Sequence, residues 1–242
     1  MKARLGGYAG WQLRDFVFER AAAITLIGAL LVWTVHESLN EGSARLIAAG
    51  GRNAFAFGGR AMGQHLGLVW FIGALIAVHG ISANDRTTGR YRFLFAKPVS
   101  VLRFYAQAFA LHGAGFMVCN VICLAALTRL VPISGATMES ALIVLLTSYV
   151  LVGGVGFLFS AIWRFDWIAT VATYGVMLYL AAKFPGAAWM QILPPFWKIS
   201  QQIELIRTLD PIEGKPLLAV AAYGVACFLL GLIILKRRPL AT

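Results

Sequence analysis

The amino-acid sequence predicts an all-α, polytopic membrane protein. It reads as one transmembrane domain over residues 1–242 with about six transmembrane helices, N-terminus and C-terminus cytoplasmic. Three observations predict it. First, hydrophobic residues make up 60% of the chain and charged residues 13%, whereas soluble domains sit at about half and about a quarter. A fold this apolar has too little polar surface to cover its core, so the bilayer is its natural solvent. The mean hydropathy of +0.76 agrees. Second, six uncharged apolar runs stand out, at 21–35, 66–83, 104–127, 140–163, 167–182 and 217–235. Third, thirteen of the 21 Lys and Arg fall in segments on the same side as the N-terminus, which the positive-inside rule assigns to the cytoplasm.

The first run, 21–35, is short for a span of about 20 residues, but Arg20 and His36 flank it and can snorkel. It follows a mixed segment with Asp15 and Glu19, and no small-x-small cleavage site comes after it, so a retained span is expected rather than a signal peptide. The outer segment beyond it carries Gly-Gly-Arg twice, at 50–52 and 58–60, and reads as a flexible linker with lipid-headgroup contacts. Runs two, three, four and six meet the length requirement outright. Gly153, Gly154, Gly156 and Ser160 in the fourth, and Gly224 and Gly231 in the sixth, predict close helix packing without naming the partner helix. The fifth run is short again, between Asp166 and Lys183. In the extracytoplasmic segment 183–216, Pro194 and Pro195 precede Phe196, Ile199, Ile203 and Ile206 at helical spacing. An amphipathic helix is expected there, either on the outer membrane face or capping the bundle.

The net charge of +11 fits cytoplasmic helix ends meeting anionic lipids, and no nucleic-acid-binding module is visible. Cys119, Cys123 and Cys227 lie inside apolar runs, which argues against disulfides. The i, i+4 pair Cys119 and Cys123 could bind a soft metal, but no second ligand pair accompanies it, and packing is the preferred reading; no metal site is expected. No HExxH, CxxC pair or nucleophile elbow is present, so no catalytic residue is assigned and an enzyme is not expected. Polar residues within spans are functional candidates by default. His112 and Asn120 share a face of span three and Tyr174 lies in span five; they either line a substrate path or bond neighbouring helices. No span has a charged residue at its centre, which counts against a proton- or sodium-driven pump.

The inner segment 84–103 is the most informative. It combines Arg86, Arg90, Arg92, Lys97 and Arg103 with Tyr91, Phe93, Leu94 and Phe95, apolar residues that a merely solvated loop does not need. Pro98 interrupts it, and Ser100 is placed to cap the helix of span three. Such an element can lie on a membrane surface or dock in a groove on a partner.

This arrangement resembles the type-2 ABC transporter permeases, the six-helix membrane subunits of many bacterial exporters. The matching positions are Asp85, where that family more often has Glu, then Gly89, Leu94, Pro98, Val99 and Ser100, set in a similar layout over the whole chain. The resemblance implies an ATP-driven exporter subunit in a bacterial plasma (inner) membrane. Asp85, Gly89, Tyr91, Phe93, Leu94, Phe95 and Pro98 would couple to a separate ABC ATPase subunit, and Arg164 and Asp166 would make a second contact. It also implies that residues 11–20 lie along the inner membrane face, and that a homodimer or a heterodimer with a second permease encloses the path. No GxxxxGK[ST] phosphate loop occurs, so ATP would be held by the partner chain and no cofactor by this one. A channel or secondary transporter, or a non-transporting membrane scaffold, are the alternatives the sequence leaves open.

Overall fold

The computed structural model describes residues 5–39, 41–82, 100–163 and 165–237. Among these the chain is helical, with no strand. Helix α1 (Leu5–Phe16) runs through a π-helical turn (Val17–Ala21) into α2 (Ala22–Glu37), and α3 (Glu41–Ala49) and α4 (Gly51–Val78) follow. Beyond residues 83–99 come α5 (Val101–Leu130), α6 (Gly135–Ile162), α7 (Asp166–Lys183), a 3-10 turn (Ala188–Ile192), α8 (Phe196–Thr208) and α9 (Gly214–Arg237). Five helical stretches are long and apolar enough to cross a membrane: Tyr8–Glu37, α4, α5, α6 and α9. The protein is therefore membrane-embedded and all-α. Helix α7, which covers the fifth apolar run, has 18 residues and is not among those five.

The first span is longer than its apolar run because residues 11–20 do not form a separate surface segment. They continue into α2 as one helical stretch, and Gln12, Phe16, Arg20, Ile24 and Gly28 form a buried stripe at four-residue steps. This stripe packs mainly on α5, with α4 alongside α2. Phe16 fills the space that a side chain at Gly115 would need. Arg20 turns inward instead of snorkelling, its side chain 7% exposed.

The expected linker with two Gly-Gly-Arg repeats is mostly helix. Gly50 and Gly51 have positive φ (67° and 76°) and break the chain between α3 and α4, a backbone region that glycine enters without steric cost. The second glycine pair serves packing instead. A Cβ at Gly58 would overlap the Pro132 carbonyl, and one at Gly59 would stand 3.1 Å from the Ile206 carbonyl oxygen. These glycines let α4 lie against the α5–α6 connection and against α8.

Helices α4 and α6 are the most buried spans, and α6 and α9 form the most extensive helix pair. The partner of the small residues in span four is thereby identified. A Cβ at Gly154 would overlap the Gly224 carbonyl, and one at Gly224 would overlap the Val150 carbonyl. Side chains as small as hydrogen let the two backbones touch, the main source of helix attraction in lipid. Helix α8 caps the bundle: Phe196, Ile199, Ile203 and Ile206 are all buried, against α4 and α6. Gln202 on the same face accepts the Glu213 N–H at 2.7 Å, fixing the turn into α9. At the same end of the bundle, Ser134 caps α6 by accepting the Thr137 N–H at 3.1 Å. Ser100 occupies the N-cap of α5 as expected, without a side-chain cap bond.

Replacing Gly224 with Ala should lower stability by about 1–3 kcal/mol, because an added methyl between touching backbones forces them apart. Gly175 on α7 faces open space, so Gly175→Ala should be neutral or stabilising by up to about 1 kcal/mol through helix propensity. Thermal unfolding of the two purified variants in the same detergent checks the contrast.

Candidate functional site: a polar clamp at one end of the bundle

Helix α4 ends at Val78, before the apolar run 66–83 is finished, and the chain turns sharply. His79 leaves the helical region (φ −49°, ψ 130°) and Gly80 has φ 74°, a turn that a side chain at position 80 would strain. The turn brings two polar groups onto the first residue of α7. His79 Nδ1 donates to Asp166 Oδ1 at 2.9 Å. The Gly80 N–H donates to Asp166 Oδ2 at 3.0 Å, and the Trp167 N–H to Oδ1 at 2.8 Å. The carboxylate also sits at the N-terminus of α7, where the helix dipole favours negative charge. Asp166 lies outside the apolar runs. Burial pushes its carboxyl up, but the bonds from His79, Gly80 and Trp167 outweigh this, and the group titrates below its ordinary value of 3.8.

A third element joins from the other side. Arg20 Nη2 donates to the His79 carbonyl at 3.1 Å and Nη1 to Asp15 Oδ2 at 3.1 Å, with Glu19 Oε2 at 3.8 Å. One buried guanidinium thus ties the N-terminal helix to the end of α4. Ser82 Oγ and Ser160 Oγ, 3.0 Å apart, add a link from the start of the next connection to α6. Beside the cluster lies a cavity of about 420 Å³ lined by Glu19, Arg20, Leu75, Ile76, His79 and Trp167.

The expected coupling residues Asp85, Gly89, Tyr91, Phe93, Leu94, Phe95, Pro98 and Arg164 lie outside the described residues. Asp166 is described, and it is 2% exposed with its carboxylate turned into the clamp. The expected path residues each have a local partner. His112 Nδ1 donates to the Ala77 carbonyl on α4 at 2.9 Å, and Asn120 Nδ2 donates to the Phe116 carbonyl of its own helix at 2.9 Å. Tyr174 stacks on Phe71 at 4.0 Å and meets Trp70 and Phe196 edge-on, pinning α7 to α4 and α8.

Sequence reasoning missed the pairing of Arg20 with His79, because the two are 59 positions apart and each reads as an ordinary helix-end residue. It also missed His65. This histidine is 1% exposed, and among the described residues neither ring nitrogen has a hydrogen-bond partner. An unpaired buried donor or acceptor costs about 1–3 kcal/mol. Among the described residues, no group of three or more His, Cys, Asp and Glu is placed to hold a metal ion.

Fold and site together define an all-α polytopic membrane protein whose N-terminal helix, α4 and α7 are fastened at one end by buried and partly buried polar bonds. No known protein family, curated protein or solved structure matches the chain.

Asp166→Ala should cost about 3 kcal/mol, since it strands the Gly80 N–H and frees His79. Glu204→Ala, at an exposed pair with Arg207, should cost less than about 0.5 kcal/mol. Unfolding of both variants in detergent checks this. A carboxyl held below its ordinary value contributes its full stability above pH 3.8 and loses it as pH falls through the folded value. The wild type should therefore lose stability more steeply than Asp166→Asn on acidification below about pH 4.

Proposed function

We propose that the chain is the membrane-spanning permease subunit of an ATP-driven ABC exporter, working in a bacterial plasma membrane with a separate ATPase subunit. The observation that carries this reading is the clamp. Two connections on the inner side, by the charge count, leave from one polar cluster: residues 83–99 follow the His79–Gly80 turn, and 164–166 end on the carboxylate of Asp166. The N-terminal helix reaches the same cluster through Arg20. A push on segment 84–103 by an ATPase is then delivered to three helices at once, as a transition between two states of the bundle requires. The mixture of basic and apolar residues in that segment, with Leu94, Phe95 and Pro98, suits docking in a protein cleft.

In this reading Asp166 acts by positioning. It holds the second connection against the first, while the contact with the ATPase is made by neighbouring residues. Its substitution uncouples ATP hydrolysis from movement of the spans without releasing the partner.

Affinity purification from the native membrane under gentle detergent should recover a stoichiometric ATPase bearing a phosphate loop. A clean chain without one would sink the proposal and favour a channel or a scaffold. Leu94→Glu or Phe95→Glu should abolish that association while leaving membrane insertion intact. Asp166→Asn should retain association yet lower substrate-stimulated ATP hydrolysis by a factor of about 5 or more, the lower end of coupling between sites.

A further inference from the structure

A second pocket lies at the end of the bundle opposite the clamp, the outer end by the charge count. It has a volume of about 310 Å³ and is formed by the end of α7, the 3-10 turn and the first two turns of α8. Its polar lining is Gln191, Lys198 and Gln201, and among the described residues none of these three side chains has a hydrogen bond or an ion pair. Among the described residues that line it, Lys198 is charged and no carboxylate is present. The start of α8 adds positive potential. Its N-cap, Pro195, makes no side-chain cap bond and its first turn holds no acid, so the positive end of the helix dipole has no counter-charge on its own helix. Beside the pocket Phe184, Trp189 and Ile192 are exposed, with the Phe184 and Trp189 rings edge-on at 5.8 Å. They follow directly on α7, at the level where aromatic side chains sit between hydrocarbon and water.

We propose that this pocket binds the headgroup of an anionic phospholipid of the phosphoglycerol kind, with the acyl chains lying against Phe184, Trp189 and Ile192. The Lys198 ammonium and the amide N–H groups of Gln191 and Gln201 supply donors for the phosphate oxygens. The amide carbonyls of the same glutamines accept from headgroup hydroxyls. Trp197 gives the glycerol carbons an apolar wall. A zwitterionic headgroup fits less well, because its ammonium finds no carboxylate among the described lining residues. A free phosphoglycerol shares the headgroup chemistry but lacks chains to cover the exposed apolar residues beside the pocket, so the surroundings select the lipid. The site stands apart from the polar clamp. It rests on the embedding of the chain in a membrane and not on the proposed transport function.

The test is native mass spectrometry of the purified full chain in detergent, titrated with phosphatidylglycerol or with phosphatidylcholine of the same acyl chains. The wild type should hold one phosphatidylglycerol tighter than phosphatidylcholine by about 10-fold or more, the scale of a hydrogen bond to a charged group. Lys198→Gln should erase that preference and Lys198→Arg should keep it. Lys215→Gln removes the same charge from an exposed position at the start of α9 and should bind as the wild type does. Where Lys198→Gln fails to fold, the double variant Gln191→Ala with Gln201→Ala, both at exposed positions, should show the same loss. Equal affinity for the two lipids, or an equal loss in Lys198→Gln and Lys215→Gln, would overturn the site and leave only general surface attraction. Displacement of the lipid by an equimolar amount of soluble glycerol phosphate would overturn the lipid as the occupant in favour of a free phosphoglycerol.

Discussion

Helices in hydrocarbon gain little by hiding apolar side chains from one another, because the lipid is equally apolar. This bundle holds where backbones touch. Gly154 on α6 and Gly224 on α9 each lie against a main-chain carbonyl of the other helix. The same device sets α4 against the α5–α6 connection at Gly58 and against α8 at Gly59. Once α4 and α6 are fixed, the remaining helices have limited choices of where to lie.

Buried polar side chains supply the second layer of specificity. Several cross between helices to reach a main-chain carbonyl: Gln12 to Phe104, His112 to Ala77, and Tyr149 to Phe109. Each removes a donor from the apolar interior and sets the rotation of one helix on another. At the clamp these bonds concentrate. Arg20, His79, Gly80 and Asp166 join α1–α2, α4 and α7 within a few ångströms, at the point where connecting segments leave the spans. Glycine contacts join helices along their length, and the clamp ties three helical stretches together at one end.

Much of the fold was legible, and the failures share a cause. Apolar runs located α4, α5, α6, α7 and α9, and helical spacing located α8 with its four buried residues. The stripe of α1–α2 was missed because two of its five members, Gln12 and Arg20, are polar; a search for apolar residues does not find a buried face that depends on specific bonds. Gly-Gly-Arg at 58–60 looked like a flexible linker because a glycine that permits close approach and one that permits a turn are the same letter. Gly50 and Gly51 do bend the chain, but Gly58 and Gly59 sit inside a helix. Of the candidate site, Asp166 was named through the resemblance, as part of a second contact with the ATPase, and its turn inward depends on His79 and Gly80, 87 and 86 positions away.

The sequence by itself determined the solvent, the helical class and most of the spans, because these follow from composition and from runs long enough to cross hydrocarbon. It also marked Asp166 and the small residues of α6 and α9 as places where something must happen. Only the tertiary structure decided what meets what: Gly154 with Gly224, Arg20 with the His79 carbonyl, Cys123 with Gly28. Pairings of this kind depend on distances of a few ångströms between residues far apart in the chain. Local periodicity fixes which way a side chain faces on its own helix, and only packing fixes what it faces.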